Sequence, residues 1–195
     1  MNELIAMFFR SIKYEKVELP QIQKNMTGKQ MEKNKVYFKK ITEDVRIPQC
    51  SKPGDAGADA RIMGFKEIKK EGDDKQLIEI DAESYTLKPL ERVACPLGFA
   101  TAIPQGYYFK VVPRSGLALW EGLTILNTPG TIDAGYRNEW MAIVANISNK
   151  EVTLHKGERI CQIILGKLHE YEVIEVDELP SSERGLGGFG STGKK

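Results

Sequence analysis

Apolar and polar positions alternate along most of the chain from residue 35 onward, in short runs separated by Pro, Gly and Asp. A period of two places successive side chains on opposite faces of a β-strand. Strands that recur about every ten residues, with turn residues between them, are typical of an all-β sandwich or barrel. The pattern predicts strands at Val36–Ile41, Gln76–Ile80, Glu91–Thr101, Tyr107–Val112, Leu123–Asn127, Glu139–Ser148, Arg159–Lys167 and Tyr171–Val176.

Four segments depart from this alternation. Ser115–Gly122 has helical spacing and ends in glycine, which predicts one short helix with Ser115 as its N-cap. Glu67–Asp74 is rich in lysine and acidic residues and is predicted to be a polar surface loop. Residues 1–34 are predicted to be an N-terminal extension, either a short docking helix or a weakly ordered leader. Residues 35–180 form the predicted β-domain, and 181–195 a glycine-rich C-terminal arm.

Composition narrows the class of protein. With 28 Lys and Arg against 27 Asp and Glu, the net charge is +1, so no global field attracts nucleic acid or a membrane surface. Three cysteines without a CxxC pair and two histidines match no zinc-site spacing and indicate a reducing compartment. The apolar run Leu4–Phe9 is too short to cross a bilayer and lacks the features of a signal peptide. We expect a soluble intracellular, cytoplasmic protein.

Two motifs point to a polyanion site. Asp59 closes the turn motif Pro53–Asp59 at the start of a strand, where it either stabilises the turn or accepts hydrogen bonds from the waters of a Mg²⁺ ion. Arg114, Ser115 and Gly116 stand between a predicted strand and the predicted helix. This segment is either a capped helix start with a surface arginine, or a phosphate site built from free N–H groups and a guanidinium.

The segment from Asn127 to Glu139 offers more chemistry than any other internal stretch. Predicted strands flank it, so we expect a hairpin-like loop in which Asn127 supplies an amide to a base, Asp133 a general base and Tyr136 a flat ring. The alternative is an ordinary Asp-x-Gly turn. Gln162 interrupts an apolar run in a predicted strand, where it either faces solvent or contacts a phosphate or a base.

The arm carries Arg184, Phe189, Ser191 and Thr192 among its glycines. A guanidinium, an aromatic ring and two hydroxyls on a permissive backbone suit closure over a nucleotide. The alternative is a disordered, solubilising tail. Gly185, Gly187 and Gly190 also match the spacing of a dinucleotide fingerprint, but no helix or acidic residue can follow within the five residues that remain. We therefore expect the scattered loops to converge on one nucleotide beneath this arm.

Five motifs in this order resemble those of the trimeric dUTPase family, deoxyuridine triphosphate nucleotidohydrolases. They are Pro53–Asp59, Pro113–Ala118, Leu126–Arg137, Gly157–Gln162 and Arg184–Gly193, and the resemblance runs from about residue 36 to 193. It implies a distorted jelly-roll β-barrel, a homotrimer with active sites at subunit interfaces, and Mg²⁺-dependent hydrolysis of dUTP to dUMP and pyrophosphate. Such an enzyme limits uracil incorporation into DNA and supplies dUMP for dTMP synthesis.

The resemblance also implies a role for each motif residue. Asp133 would activate the water that attacks the α-phosphorus, and Tyr136 would pack on the deoxyribose. Asn127 and the hairpin from Thr131 through Ile132 to Met141 would read uracil. The phosphates would be held by Arg114, Ser115, Gly116 and Gln162, and Asp59 would contact Mg²⁺ through water. The lid of a neighbouring subunit would supply Arg184, Phe189, Gly190, Ser191 and Thr192.

The sequence departs from the family pattern at three places, and two other functions are alternatives to dUTP hydrolysis. Asn138 replaces a usual glycine and tolerates the same turn, Ala60 replaces a larger apolar residue, and the segment around Glu67–Ala82 is longer than usual. A dCTP deaminase shares the fold and needs a glutamate-centred water site, for which Glu139 is the candidate. A non-catalytic dUTP-sensing or partner-binding protein is the second alternative, favoured by the unmatched residues 1–34.

Overall fold

A computed structural model describes residues 35–186 of the chain. The predicted extension over residues 1–34 and the end of the predicted arm, residues 187–195, lie outside the described residues. The strands, in chain order, are β1 Tyr37–Lys40, β2 Ala58–Arg61, β3 Phe65–Glu71, β4 Asp74–Ile80, β5 Ser84–Leu87, β6 Arg92–Pro96, β7 Phe99–Ala102, β8 Tyr107–Pro113, β9 Leu123–Ile125, β10 Gly130–Ile132, β11 Met141–Asn146, β12 Val152–His155 and β13 Arg159–Lys167.

The strands form four antiparallel sheets, which confirms the all-β prediction. The largest has the order β4-β3-β6-β11-β9, and the second the order β10-β8-β13-β2. Two strand pairs, β1-β7 and β12-β5, complete the set. Across residues 35–186 there is no helix with the length and apolar character needed to cross a membrane.

A cluster of aromatic rings joins these sheets in the core. Trp140 is fully buried, with its ring centroid 5.2 Å from that of Phe99 on β7 and 5.3 Å from that of Phe109 on β8. Phe38 on β1 extends the cluster, 5.4 Å from Phe99. Tilted and edge-on ring pairs add to the free energy gained by removing large apolar surfaces from water. The cluster therefore fixes β7 and β8 relative to the strand that follows Trp140, β11.

Most of the predicted strands are confirmed, and Arg159–Lys167 matches β13 at both ends. The run Glu91–Thr101 is instead two strands, β6 and β7, because Leu97 and Gly98 turn the chain between them. Gly98 has φ +75°, and a Cβ at this position would lie 2.7 Å from Met63 Cγ, so only glycine fits there.

The predicted polar loop Glu67–Asp74 is wrong. It belongs to a regular hairpin in which β3 and β4 pair from Phe65 opposite Ile80 to Glu71 opposite Asp74. The two-residue turn between them contains Gly72 at φ +61°. The charged residues that suggested a loop are exposed side chains of an edge hairpin, where lysine and glutamate protect a sheet from unwanted pairing.

The prediction of a strand at Tyr171–Val176 is also wrong for the single chain. Residues 168–176 have no regular structure, and Tyr171, Val173 and Ile174 are 85, 83 and 69 % exposed. Alternation alone cannot form a strand, because the backbone N–H and C=O groups need a neighbouring strand to pair with.

The predicted helix is shorter than expected. It is a five-residue π-helix, Leu117–Glu121, which ends at Gly122 with φ +67° as the glycine predicted. No side chain caps it, so the prediction of Ser115 as the N-cap is wrong.

Asn146, at the end of β11, is a fully buried polar residue whose side chain has four hydrogen bonds. Its Nδ2 donates to the carbonyl oxygens of Leu87 and Lys150, at 3.0 and 2.7 Å. Its Oδ1 accepts from the amide nitrogen and the hydroxyl of Ser148, at 2.9 and 2.7 Å. This amide ties the β11–β12 connection to the end of β5.

We predict that Asn146→Ala lowers the free energy of unfolding by about 2–4 kcal/mol, because it leaves several buried donors and acceptors without partners. Urea unfolding at one fixed protein concentration measures this. Asn149→Ala, at an exposed position of the same connection, is the control and should change the free energy of unfolding by less than about 0.5 kcal/mol. Equal effects of the two variants would contradict the assignment.

Candidate active site

A carboxylate-centred cluster forms at one end of the β8-β13-β2 sheet. Gln162 on β13 lies opposite Asp59 on β2 and opposite Val112 on β8, two residues before Arg114. Asp59 Oδ1 accepts hydrogen bonds from Arg114 Nε and Gln162 Nε2, both at 3.2 Å. Its Oδ2 accepts one from Arg159 Nη1 at 3.0 Å. Strand register thus brings together three predicted site residues that lie as far as 103 positions apart in sequence.

The cluster carries excess positive charge, since the two guanidinium groups face a single carboxylate. The side chains of Asp59 and Arg114 are 20 and 26 % exposed, and that of Arg159 is 50 % exposed. Ion pairs exposed to this degree add little stability, so their effect is mainly to orient the guanidinium groups. Ser115 and Gly116 follow at the exposed rim. The arrangement suits a multiply charged anion such as a polyphosphate.

Arg159 is the residue of this cluster that the motif analysis did not select. It also belongs to the motif Gly157–Gln162, and a strand-initiating arginine three positions before a polar residue in an apolar run is a usable sequence signal. Its own carbonyl oxygen accepts a hydrogen bond from Arg114 Nη1 at 3.1 Å, which holds the two arginines together.

The donor set around Asp59 limits how a cation can bind. Both carboxylate oxygens already accept N–H hydrogen bonds, and positively charged groups surround them. Among residues 35–186, no group of three or more His, Cys, Asp or Glu side chains is placed to hold a metal ion. These residues fit a hydrated cation that arrives on an anionic ligand, and they do not fit a cation bound directly by the protein.

A second cluster is formed by the hairpin that contains Asp133. The turn closes through a hydrogen bond from the Tyr136 amide to the Asp133 carbonyl oxygen at 3.1 Å, and the Asp133 side chain is exposed. The Tyr136 hydroxyl donates to the carbonyl oxygen of Glu139 at 3.2 Å. Arg137, which the motif analysis did not select, donates from Nη1 to the carbonyl oxygens of Ala134 and Tyr136, at 2.6 and 2.9 Å. The turn is therefore held in one shape.

Three residues of the predicted base-reading hairpin line one apolar cavity of about 310 Å³. They are Ile132, Tyr136 and Met141, and each is partly buried. The volume lies at the lower end of the range typical of small-molecule sites. The cavity can therefore take a flat organic group against the ring of Tyr136.

Asn127 and Thr131 are both exposed. A Cβ on Gly130 would lie 3.2 Å from Asn127 Nδ2, so the glycine leaves room for the amide to lie against the β10 backbone. The same Cβ would lie 3.5 Å from Val111 Cβ on β8.

Within one chain, the two clusters lie toward opposite ends of β8. β10 runs antiparallel to β8, with Gly130 opposite Val111 and Ile132 opposite Phe109. Asp133 therefore lies near the start of β8, whereas Arg114 follows its end. The six residue steps from Tyr108 to Arg114 span about 20 Å in extended conformation.

The predicted arm is described only in part. Arg184 is exposed in a turn closed by a hydrogen bond from the Gly185 amide to the Ser182 carbonyl oxygen at 3.0 Å. Phe189, Gly190, Ser191 and Thr192 lie outside the described residues, so their predicted contacts remain predictions.

Comparison with known proteins gives one consistent result. Residues 79–193 match the dUTPase family model. The chain is 47 % identical over 161 residues to the deoxyuridine 5'-triphosphate nucleotidohydrolase of Fusobacterium nucleatum, covering 82 % of this chain and 99 % of that protein. It is 40 % identical over 161 residues to the enzyme of the same name from Hydrogenobaculum, covering 83 % of this chain and 99 % of that protein.

Solved structures agree in fold. A mutant dUTPase of Staphylococcus bacteriophage 80alpha with dUpNHpp superposes with a TM-score of 0.65 at 26 % identity, covering 82 % of this chain and 99 % of that one. A mutant dUTPase from phage phi11 of S. aureus, in which a structural Mg(II) ion is coordinated, has a TM-score of 0.59 at 20 % identity, covering 74 % of this chain and 98 % of that one. The second likeness concerns the fold alone.

Cys161, beside Gln162 in the carboxylate-centred cluster, provides a test of this geometry. Burial, and then the nearby Asp59 carboxylate, raise the pKa of its thiol to about 12, although Arg114 acts in the opposite direction. Burial also raises the pKa of Cys95, whereas Cys50 is exposed. At pH 8 the thiolate fraction of Cys161 is then about one in ten thousand, and only the thiolate reacts.

We predict that a thiol-specific disulfide reagent at pH 8 rapidly modifies one of the three cysteines of the native protein and all three after unfolding. Absorbance of the released chromophore counts the reacted thiols. Cys50→Ser should abolish the rapid phase and leave the other two protected. Rapid modification of two or more thiols in the native state would contradict the burial of β6 and β13.

Proposed function

The chain belongs to the dUTPase family and hydrolyses dUTP, and we propose that the two clusters, contributed by different subunits of a homotrimer, together form its active site. The fold is the distorted jelly-roll β-barrel of that family. The observation that carries the proposal is the presence of an anion-binding cluster at the end of β8 and of a nucleoside-sized apolar cavity lined by the hairpin that pairs with β8. Each cluster fits one part of the substrate.

The carboxylate-centred cluster is assigned to the triphosphate. Arg114 and Gln162, held by Asp59, would donate to phosphate oxygens, and Ser115 and Gly116 would add donors at the exposed rim. Mg²⁺ carried on the triphosphate would neutralise charge on the phosphate oxygens. Asp59 would contact it only through water, as the hydrogen bonds on both of its oxygens require.

The hairpin cluster is assigned to the nucleoside and to the attacking water. The ring of Tyr136 would pack against the deoxyribose, while Asn127 and the strand from Thr131 to Ile132, with Met141, would bind uracil. Asp133 would take a proton from a water as its oxygen attacks the α-phosphorus. The bond from the α-phosphorus to the bridging oxygen then breaks, and pyrophosphate leaves with dUMP as the other product. Positioning and charge neutralisation supply most of the rate enhancement.

The geometry of β8 supports a site shared between subunits. Asp133 must reach the α-phosphorus while Arg114 and Gln162 hold the same triphosphate, whose phosphorus atoms are separated by single bridging oxygens. Within one chain, Asp133 is separated along β8 by about 20 Å from Arg114 and by about 13 Å from Gln162. A hairpin cluster from one subunit can meet a carboxylate-centred cluster from the next in a closed ring.

The exposed segment after β13 supports the same assembly. Tyr171, Val173 and Ile174 have the alternation of a strand but are largely exposed in one chain. Exposed apolar runs of this kind mark interaction surfaces. We infer that this segment packs on a neighbouring subunit and brings the arm, with Arg184, Phe189, Gly190, Ser191 and Thr192, to that subunit's site.

The deaminase alternative finds no support. The relatives and solved structures reported above are named for dUTP hydrolysis. Glu139, the residue that left the alternative open, accepts a hydrogen bond from the Gly98 amide to Oε1 at 3.0 Å in a partly buried position. Its carboxylate thus stabilises the tight turn between β6 and β7.

We predict that Asp133→Asn lowers kcat for dUTP by at least about a hundredfold, because the amide cannot accept the water's proton. The Kd for non-hydrolysable dUpNHpp should change by less than about threefold, as measured by calorimetry, since the triphosphate contacts remain. Asp81→Asn, an exposed carboxylate just beyond β4, is the charge-matched control and should behave as wild type. Unchanged turnover in Asp133→Asn would exclude Asp133 as the base.

We predict that two inactive variants, Asp133→Asn and Arg114→Ala, complement each other when co-expressed. In a randomly mixed trimer, about a quarter of the interfaces pair an intact Asp133 from one subunit with an intact Arg114 from the next, so activity should recover to about a quarter of wild type. Steady-state assays with sedimentation analysis of the mixture measure this. A mixture no more active than its components would show that both residues act from the same chain.

A further inference from the structure

The hairpin β3–β4, of which the sequence predicted only Glu67–Asp74 as a surface loop, reaches the cavity assigned to the nucleoside. Ile68 on β3 and Leu77 on β4 are direct cross-strand partners and therefore point to the same face of the hairpin. Both line the same cavity as Ile132, Tyr136 and Met141. The two side chains are 40 and 47 % exposed, so they form a wall that is still open to solvent.

The hairpin is anchored well enough to serve as a wall. Phe65 at its base is fully buried, and its ring stacks on that of Tyr85 with centroids 5.8 Å apart. Lys66 pairs with Ala94 on β6, which places the hairpin beside the strands that form the floor of the cavity. The positions of Ile68 and Leu77 are thus set by sheet register.

Ile68 and Leu77 precede the segment that the family model matches, residues 79–193. The assignment of the cavity to the nucleoside rests on Tyr136 and Met141, and the hairpin adds two apolar side chains to the same lining. Apolar side chains at this place remove water from whatever lies against Tyr136.

We propose that Ile68 and Leu77 are substrate-binding residues that form an additional apolar wall against the nucleoside of dUTP. The proposal rests on the proposed function of the cavity. Packing against a base and a deoxyribose covers the exposed parts of both side chains and completes an otherwise open pocket. Loss of either side chain weakens binding of the nucleoside end of the substrate and leaves binding of the triphosphate end unchanged.

The hairpin supplies its own control. Ile78 is adjacent to Leu77 on β4, so its side chain points to the opposite face, and it is 41 % exposed, against 40 % for Ile68. It does not line the cavity. Ile68→Asn and Ile78→Asn therefore make the same chemical change at the same exposure on opposite faces of one hairpin.

The test uses full-length protein, with dUMP and inorganic triphosphate as inhibitors that report on the two ends of the substrate. Ile68→Asn and Leu77→Asn should each raise the KM for dUTP and the inhibition constant of dUMP about tenfold, as loss of apolar contact in a pocket does. The kcat and the inhibition constant of inorganic triphosphate should stay within about twofold, and Ile78→Asn should match wild type. Ile68→Ala, a milder change, gives a smaller shift in the same direction should Ile68→Asn fold poorly.

Three results would overturn the wall. The first is an unchanged KM for dUTP and an unchanged inhibition constant of dUMP in the Ile68 and Leu77 variants. The second is an equal rise of these two constants in Ile78→Asn. The third is a change of sedimentation coefficient in Ile68→Asn without ligand, which would make this face a subunit contact. Wild-type protein without dUTP hydrolysis would instead overturn the function of the whole site. The failure of the wall and the failure of the proposed function are therefore distinguishable.

Discussion

The length of β8 is the constraint on which the site depends. This strand pairs with β13 along its whole length and with β10 over residues 109–111, so both clusters of functional residues are attached to it. An extended strand cannot shorten, because its rise per residue is fixed by backbone geometry. The anion-binding end and the Asp133 end are held apart, and the aromatic cluster around Trp140 keeps β8 in place. In the proposed function, another copy of the chain completes the site on this strand.

The arrangement of positively charged groups at the anion-binding end depends on one carboxylate. Asp59 lies at a register position where Gln162 and two arginines can all reach it, and its hydrogen bonds fix their directions. Without it, two guanidinium groups would repel each other and lose a shared anchor. With it, the cluster keeps a net positive charge while its donors remain partly exposed. If the cluster binds the triphosphate as proposed, these preformed hydrogen bonds reduce the ordering needed on binding.

The hairpin cluster is also held in place by contacts within the chain. Arg137 binds the carbonyl oxygens of its own turn, and Gly130 leaves space for the amide of Asn127. Both residues act on the site without contact to a substrate, because each fixes the backbone that presents Asp133 and Tyr136. The β3–β4 hairpin adds apolar surface to this preformed frame from outside the segment that the family model matches.

The sequence by itself determined the all-β class, most strand positions, the family and the residue types of both clusters. These follow from local properties, because alternation, glycine turns and motif spacing are written in consecutive residues. Residues 159–167 and 171–176 show the limit, since both alternate and only the first is a strand. Tertiary structure decided four further features. They are the pairing partners of the strands, the hairpin at residues 65–80, the hydrogen bonds of Arg159 and the separation of Asp133 from Arg114. Each depends on register between strands distant in sequence, which no local pattern encodes.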